Sequence, residues 1–177
     1  RRSNEAAIKY FMLGAFSSGL LLYGMSLVYG VAGSTRLVDL SAALPEALAG
    51  DGDATLLVGV GVALLVAGVA FKIAAAPFHV WAPDAYEGAP TPVAAFMSVG
   101  VKAASFALLV RIFVDGLGTI RVSVDDGWPG WEVALGVLAA VAMTWGNLAA
   151  LTQKNAKRLL AYSAVAHSGY ALLGIVA

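Results

Sequence analysis

The chain has 177 residues, is 60% apolar and only 12% charged, and has a mean hydropathy of +0.82. A soluble domain carries about 25% charged residues, so this composition belongs in a membrane. A formal net charge of zero gives no electrostatic argument for nucleic acid or an acidic substrate, and the lack of cysteine excludes a disulfide, an iron–sulfur cluster or a thiolate zinc site built from this chain.

The first residue is Arg1 rather than Met, Ala177 ends inside an apolar run, and no signal peptide is visible, so we expect an internal piece of a longer chain. A transmembrane helix needs about 20 mostly apolar residues. Five segments qualify, and we expect an all-α membrane protein that crosses the bilayer five times over 1–177.

The first span covers roughly 6–30. Glu5 and Lys9 form an acid-first i, i+4 pair at its start. Such a pair is ordinarily a surface feature, and proton uptake is the alternative role. Residues 31–53 read as an acidic loop with Asp39, Glu46, Asp51 and Asp53.

The second span, 54–83, is too long for one straight crossing. Its 30 residues would reach about 45 Å as a helix. Pro77 lies inside it and conflicts with the carbonyl four residues back, at Ile73, so we expect a broken helix next to Lys72. Lys72 is one of two ionisable residues in this span, and a charged lysine at bilayer depth costs about 2.5–3.5 kcal/mol on insertion scales. Its central position disfavours snorkelling to the surface. A buried lysine that exists both charged and neutral can accept a proton and pass it on. His79 follows seven residues later, two turns along an unbroken helix. It suits a relay or is satisfied by a neighbouring carbonyl, and the intervening proline leaves its face open.

Asp84 and Glu87 follow in the proline-rich turn before the third span, 92–114. They read as a carboxylate mouth or as a solvated turn. Lys102 lies ten residues past Pro92, about 15 Å into the span, so the reasoning for Lys72 applies to it too. We expect it on a regular helix near the midplane. The loop 115–130 is again acidic, with Asp115, Asp125 and Asp126, and Trp128 and Trp131 read as aromatic-belt residues at the membrane surface.

The fourth and fifth spans cover 131–152 and 155–177. His167 is about 14 Å into the fifth, beside Ser163 and Tyr170, where bonding between helices and proton transfer are both open. Lys154, Lys157 and Arg158 in the turn between these spans read first as topology anchors. With Arg1 and Arg2 they place the N-terminus and the 153–158 turn on the cytoplasmic side, with 31–53 and 115–130 outside. Arg36, Arg111 and Arg121 are the outer basic residues. No GxGxxG, P-loop or HExxH motif is present, so no nucleotide, flavin or metal site is expected in this chain.

The stretches GVAFKIAAAPFHVWAPDAYEGAPTPVAAFMSVGVKAASF and GNLAALTQKNAKRLLAYSAVAHSGY, with the opening NEAAIKYFMLGAFSSGLLLYG, resemble the antiporter-like membrane subunits of proton-pumping NADH–quinone oxidoreductase, respiratory complex I. The resemblance covers nearly the whole chain. It implies a fold of about fourteen spans built as two inverted repeats, each with one broken helix. It also implies a role for Lys72, Lys102 and His79 in a proton relay, and it matches Glu5 with Lys9, and Lys157, to charged positions of the family. NADH, FMN, iron–sulfur clusters and quinone would belong to other subunits, and this chain would bind none. Partners would be neighbouring membrane subunits in a bacterial or archaeal cytoplasmic (inner) membrane. The alternatives are a subunit of a multi-subunit Na⁺/H⁺ antiporter or a membrane-bound hydrogenase, and, from another class, a structural membrane scaffold.

Overall fold

The computed structural model describes residues 2–50, 52–121 and 130–177. Asp51, Asp125, Asp126 and Trp128 lie outside them, so the readings placed on these residues do too. The described residues form helices α1 (Arg2–Ala32), α2 (Leu37–Gly50), α3 (Gly52–Lys72), α4 (Trp81–Gly88), α5 (Thr91–Phe96), α6 (Lys102–Leu109), α7 (Gly130–Leu151) and α8 (Ala156–Val176). Five stretches are long and apolar enough to cross a membrane: Ser3–Ala32, Gly52–Lys72, Thr91–Gly116, Gly130–Leu151 and Ala156–Val176.

α3 is the central helix, packed against α1, α2, α6 and α7. Val58 and Val69 on it are fully enclosed, and half of its apolar window is buried. Two glycines let α1 approach it closely. A Cβ on Gly24 would stand 2.8 Å from the Gly61 carbonyl oxygen, and one on Gly68 would stand 2.7 Å from Leu21 Cβ. This is how spans without a hydrophobic driving force between them gain contact in lipid. The outer faces instead present large apolar side chains, among them Phe11, Phe16, Phe96, Val99, Leu148 and Leu160.

α7 and α8 form a tight helical hairpin. A Cβ on Gly146 would lie 2.7 Å from the backbone nitrogen of Ala166. The turn between them ends at Asn155, whose side chain caps α8 by accepting from the Lys157 N–H at 2.9 Å.

Three sequence expectations change. The segment 31–53 is not simply a loop, because it contains α2. Ser34 initiates this helix, accepting from the Arg36 N–H at 3.2 Å and donating to Asp39 at 2.7 Å, and Leu44 anchors it in the core. Pro45 lies inside α2 and has no N–H for the Ser41 carbonyl, and Thr119 Oγ1 donates there instead, at 2.9 Å. The third span is not regular: Met97–Val101 and Val110–Gly116 are π-helical and flank α6 on both sides. Such turns widen a helix by one residue and redirect its side chains. Trp131, at the start of α7, faces the protein interior rather than lipid as a belt residue would. It is 1% exposed, donates through Nε1 to the Leu117 carbonyl at 2.9 Å, and packs on Phe113 with Arg121 over its ring. An indole whose N–H finds a carbonyl inside the fold has no need of the headgroup region.

Candidate functional site

The break after α3 follows from helix-end chemistry. The Ala74 N–H bonds the Phe71 carbonyl at 3.0 Å, and the Ala75 N–H bonds the Ala70 carbonyl at 2.9 Å. These are the paired bonds of a Schellman motif, with Ala74 in the left-handed position at φ 54°. Alanine there is strained by about 1–2 kcal/mol relative to the right-handed form, and the surrounding packing holds it, since Ala74 is fully buried. Trp81 Nε1 adds a bond to the Phe71 carbonyl at 3.0 Å. Lys72 is therefore the last residue of a half-helix, at the negative end of its dipole, where a cation is favoured.

The Lys72 side chain is half-buried and lines a cavity of about 360 Å³ with Tyr10, Trp81 and Ser105. No hydrogen bond or ion pair to Lys72 is present among the described residues. Lys102 is more enclosed, at 9% exposure. Its Nζ donates to the Ala164 carbonyl at 2.6 Å and to Ser168 Oγ at 2.9 Å, both on α8. Ser168 in turn donates to the Ile73 carbonyl at 2.7 Å. One hydroxyl thus joins Lys102 to the residue that follows Lys72.

Lys102 opens on its other side into a cavity of about 490 Å³ shared with Lys157, His167, Ser163 and Tyr86. His167 Nδ1 lies 2.8 Å from the Ser163 carbonyl of its own helix, and its ring packs edge-on against Tyr170. Tyr170 rather than His167 makes the link to α7, accepting from Asn147 Nδ2 at 2.8 Å. Lys157 Nζ donates to the Ala89 carbonyl at 2.9 Å, closing the far end of the cavity. His79 is buried elsewhere, with its ring edge-on to Trp145 of α7 and Tyr162 of α8. The break turns it away from the Lys72 cavity, so the two do not share a face.

The starts of α1 and α8 and the end of α4 meet in a charged cluster around a cavity of about 310 Å³. Lys9 bonds Glu5 at 2.6 Å and Asp84 at 3.0 Å, while Arg158 bonds Asp84 at 2.7 Å and Glu87 at 3.1 Å. Asn155 also donates to Glu87, at 3.0 Å. Burial alone would raise the Asp84 carboxyl, but the Arg158 and Lys9 bonds outweigh it and hold its pKa below the ordinary value. Glu5, Lys9, Asp84 and Glu87 are thus one network, and the residue that joins α8 to it is Arg158, read from sequence only as an anchor. Ser168 was also missed. Its signal was a hydroxyl at the depth of His167 in an apolar helix. Among the described residues no group of three or more metal-ligating side chains is assembled.

All 177 residues match the family described as "NADH:quinone oxidoreductase/Mrp antiporter, TM". The chain belongs to this family. Its relatives include NADH-quinone oxidoreductase subunit N 2 of Sorangium cellulosum, 51% identical over 98% of this chain, and subunit N 2 of Solibacter usitatus, 53% identical over 100% of it. In both cases the chain spans 34% of the relative's length, about a third. Among solved structures, a chain of respiratory complex I from Thermus thermophilus with bound aureothin matches 99% of this chain and 35% of its own length, with 43% identity and a TM-score of 0.76. A chain of the Mrp complex from Dietzia sp. matches 97% of this chain and 29% of its own length, with 26% identity and a TM-score of 0.79. The family therefore includes both the respiratory and the antiporter settings of this fold.

Proposed function

We propose that this chain is part of a proton-translocating membrane subunit of an NADH–quinone oxidoreductase, the kind named subunit N, in a bacterial or archaeal cytoplasmic membrane. Lys72 and Lys102 are its proton carriers, and His79 is a further relay group toward α7 and α8. The observation that carries this reading is Lys102: a lysine enclosed in an apolar bundle, hydrogen-bonded by Nζ to the Ser168 hydroxyl and a helix carbonyl, and open to a mainly apolar cavity that also holds Lys157 and His167. An ionisable group is kept at such depth for a function more often than for packing.

Electron transfer would take place on NADH, FMN, iron–sulfur clusters and quinone held by other subunits. Neighbouring membrane subunits would pass the driving force to the lysines as a change of nearby charge. The cluster of Glu5, Lys9, Asp84, Glu87 and Arg158 would form the cytoplasmic mouth, with Lys157 and His167 along the cavity leading to Lys102.

The likeness to the Mrp chain supports a second reading, a subunit of a multi-subunit Na⁺/H⁺ antiporter. Vesicles containing the complete complex separate the two. Acidification driven by NADH and quinone without sodium supports the first reading, and proton movement driven only by a sodium gradient supports the second.

A further inference from the structure

Helix α3 ends with an orphan carbonyl at Ile73. In a continuous helix that oxygen would receive the N–H four residues on, but that residue is Pro77, which has none. Ile73 is fully buried, so solvent cannot replace the missing donor. Ser168 Oγ fills the role at 2.7 Å from the neighbouring helix, while accepting from Lys102 Nζ at 2.9 Å. Ser168 is itself 2% exposed.

A serine hydroxyl has a single proton to give. A charged lysine has three donors and no lone pair, so Ser168 must accept from it and its own proton is free for Ile73. A neutral lysine has a lone pair at Nζ, and the same hydroxyl proton can turn toward it. The Ile73 carbonyl then loses its donor, and a buried carbonyl without a partner is unfavourable. The Ala164 carbonyl accepts from Lys102 Nζ at 2.6 Å and is the longer, second acceptor in reach of the Ser168 proton at 3.0 Å, against 2.7 Å for Ile73.

We propose that Ser168 is a positioning residue that couples the proton occupancy of Lys102 to the helix break beside Lys72. With Lys102 charged, the hydroxyl seals the break. When Nζ passes its proton to the next base of the relay, the hydroxyl swings to Nζ and the break loosens next to Lys72. The two lysines thereby sense one another through one hydroxyl and one peptide carbonyl, without direct contact. Other titratable groups near this pair are Lys157, His167 and Tyr86 in the shared cavity, and Lys72 on α3. None of them is hydrogen-bonded to Ser168 among the described residues. This inference rests on the relay reading above.

The test uses the assembled complex in vesicles, with Ser168→Ala and Ser168→Cys. The thiol is close in size to the hydroxyl but is a weak donor and acceptor, so Ser168→Cys carries the test if the smaller side chain impairs assembly. Loss of one hydrogen bond to a charged group predicts pumping slowed about tenfold, with the alkaline limb of its pH dependence moved about one unit toward acid. Assembly and NADH oxidation by an artificial acceptor should be unchanged. A slower Ser168→Cys complex with an unaltered pH dependence overturns the coupling, because packing alone would do that. Full pumping with an unaltered pH dependence overturns it as well. Lys102→Met separates the two claims: if it blocks pumping while Ser168→Cys does not, the coupling fails and the relay stands; if it pumps normally, the relay fails too.

Discussion

Asp84→Asn removes one charge from the network that ties α4 to α1 and α8 and leaves its shape intact. The carboxylate accepts from Arg158 Nη1 at 2.7 Å, with both side chains about 30% exposed, and from Lys9 Nζ at 3.0 Å. A hydrogen bond to a charged group contributes about 1.5–3 kcal/mol when enclosed, and an exposed ion pair about 0.2–1 kcal/mol. At this partial exposure the Arg158 bond alone should contribute about 1 kcal/mol. The Asp84 pKa in the folded protein lies below its unfolded value of 3.8. The stabilisation is therefore fully present above that unfolded value and is lost as pH falls through the folded pKa. Thermal unfolding of the full-length subunit in detergent should show Asp84→Asn melting below the parent at pH 7. The gap should shrink once the pH drops below 3.8. Equal melting at pH 7, or a gap that persists unchanged in acid, would refute the assignment of these bonds.

Gly146→Ala places a Cβ against the Ala166 backbone, which cannot move as a side-chain tip can, so α7 and α8 must separate. A destabilisation of about 1–3 kcal/mol is expected, measured as a fall in the melting temperature of the same preparation. Trp131→Phe keeps an aromatic ring but removes the indole N–H that bonds the Leu117 carbonyl at 2.9 Å, leaving that oxygen its second donor, the Ile120 N–H at 3.1 Å. A loss of about 0.5–1.5 kcal/mol is expected for one hydrogen bond of two, and a melt equal to the parent would show that the indole bond contributes nothing beyond the Ile120 one.

The spans were legible because a bilayer demands long apolar runs, and the broken helix because Pro77 cannot serve Ile73. What the sequence concealed is how broken backbone is repaired. Thr119 serves the Ser41 carbonyl left open by Pro45, and Ser168 serves Ile73, from 78 and 95 residues away along the chain. A hydroxyl in an apolar helix carries no local sign of its distant partner. Helix α2 was hidden by the acidic residues around it, which read as a loop until Ser34 and Leu44 are seen to start and anchor it. The two π-helical turns beside Lys102 leave no trace in hydropathy, because they alter hydrogen-bond register rather than composition. Lys72 and Lys102 stood out in the sequence by the cost of their depth. Their link through Ser168 did not.

The central claim is that these two lysines carry protons. In vesicles containing the complete complex, with NADH and quinone supplied, Lys72→Ala should abolish or sharply cut acidification while the complex remains assembled. Acidification at the parent rate would contradict the account, because no step of the proposed relay bypasses the lysine at the break.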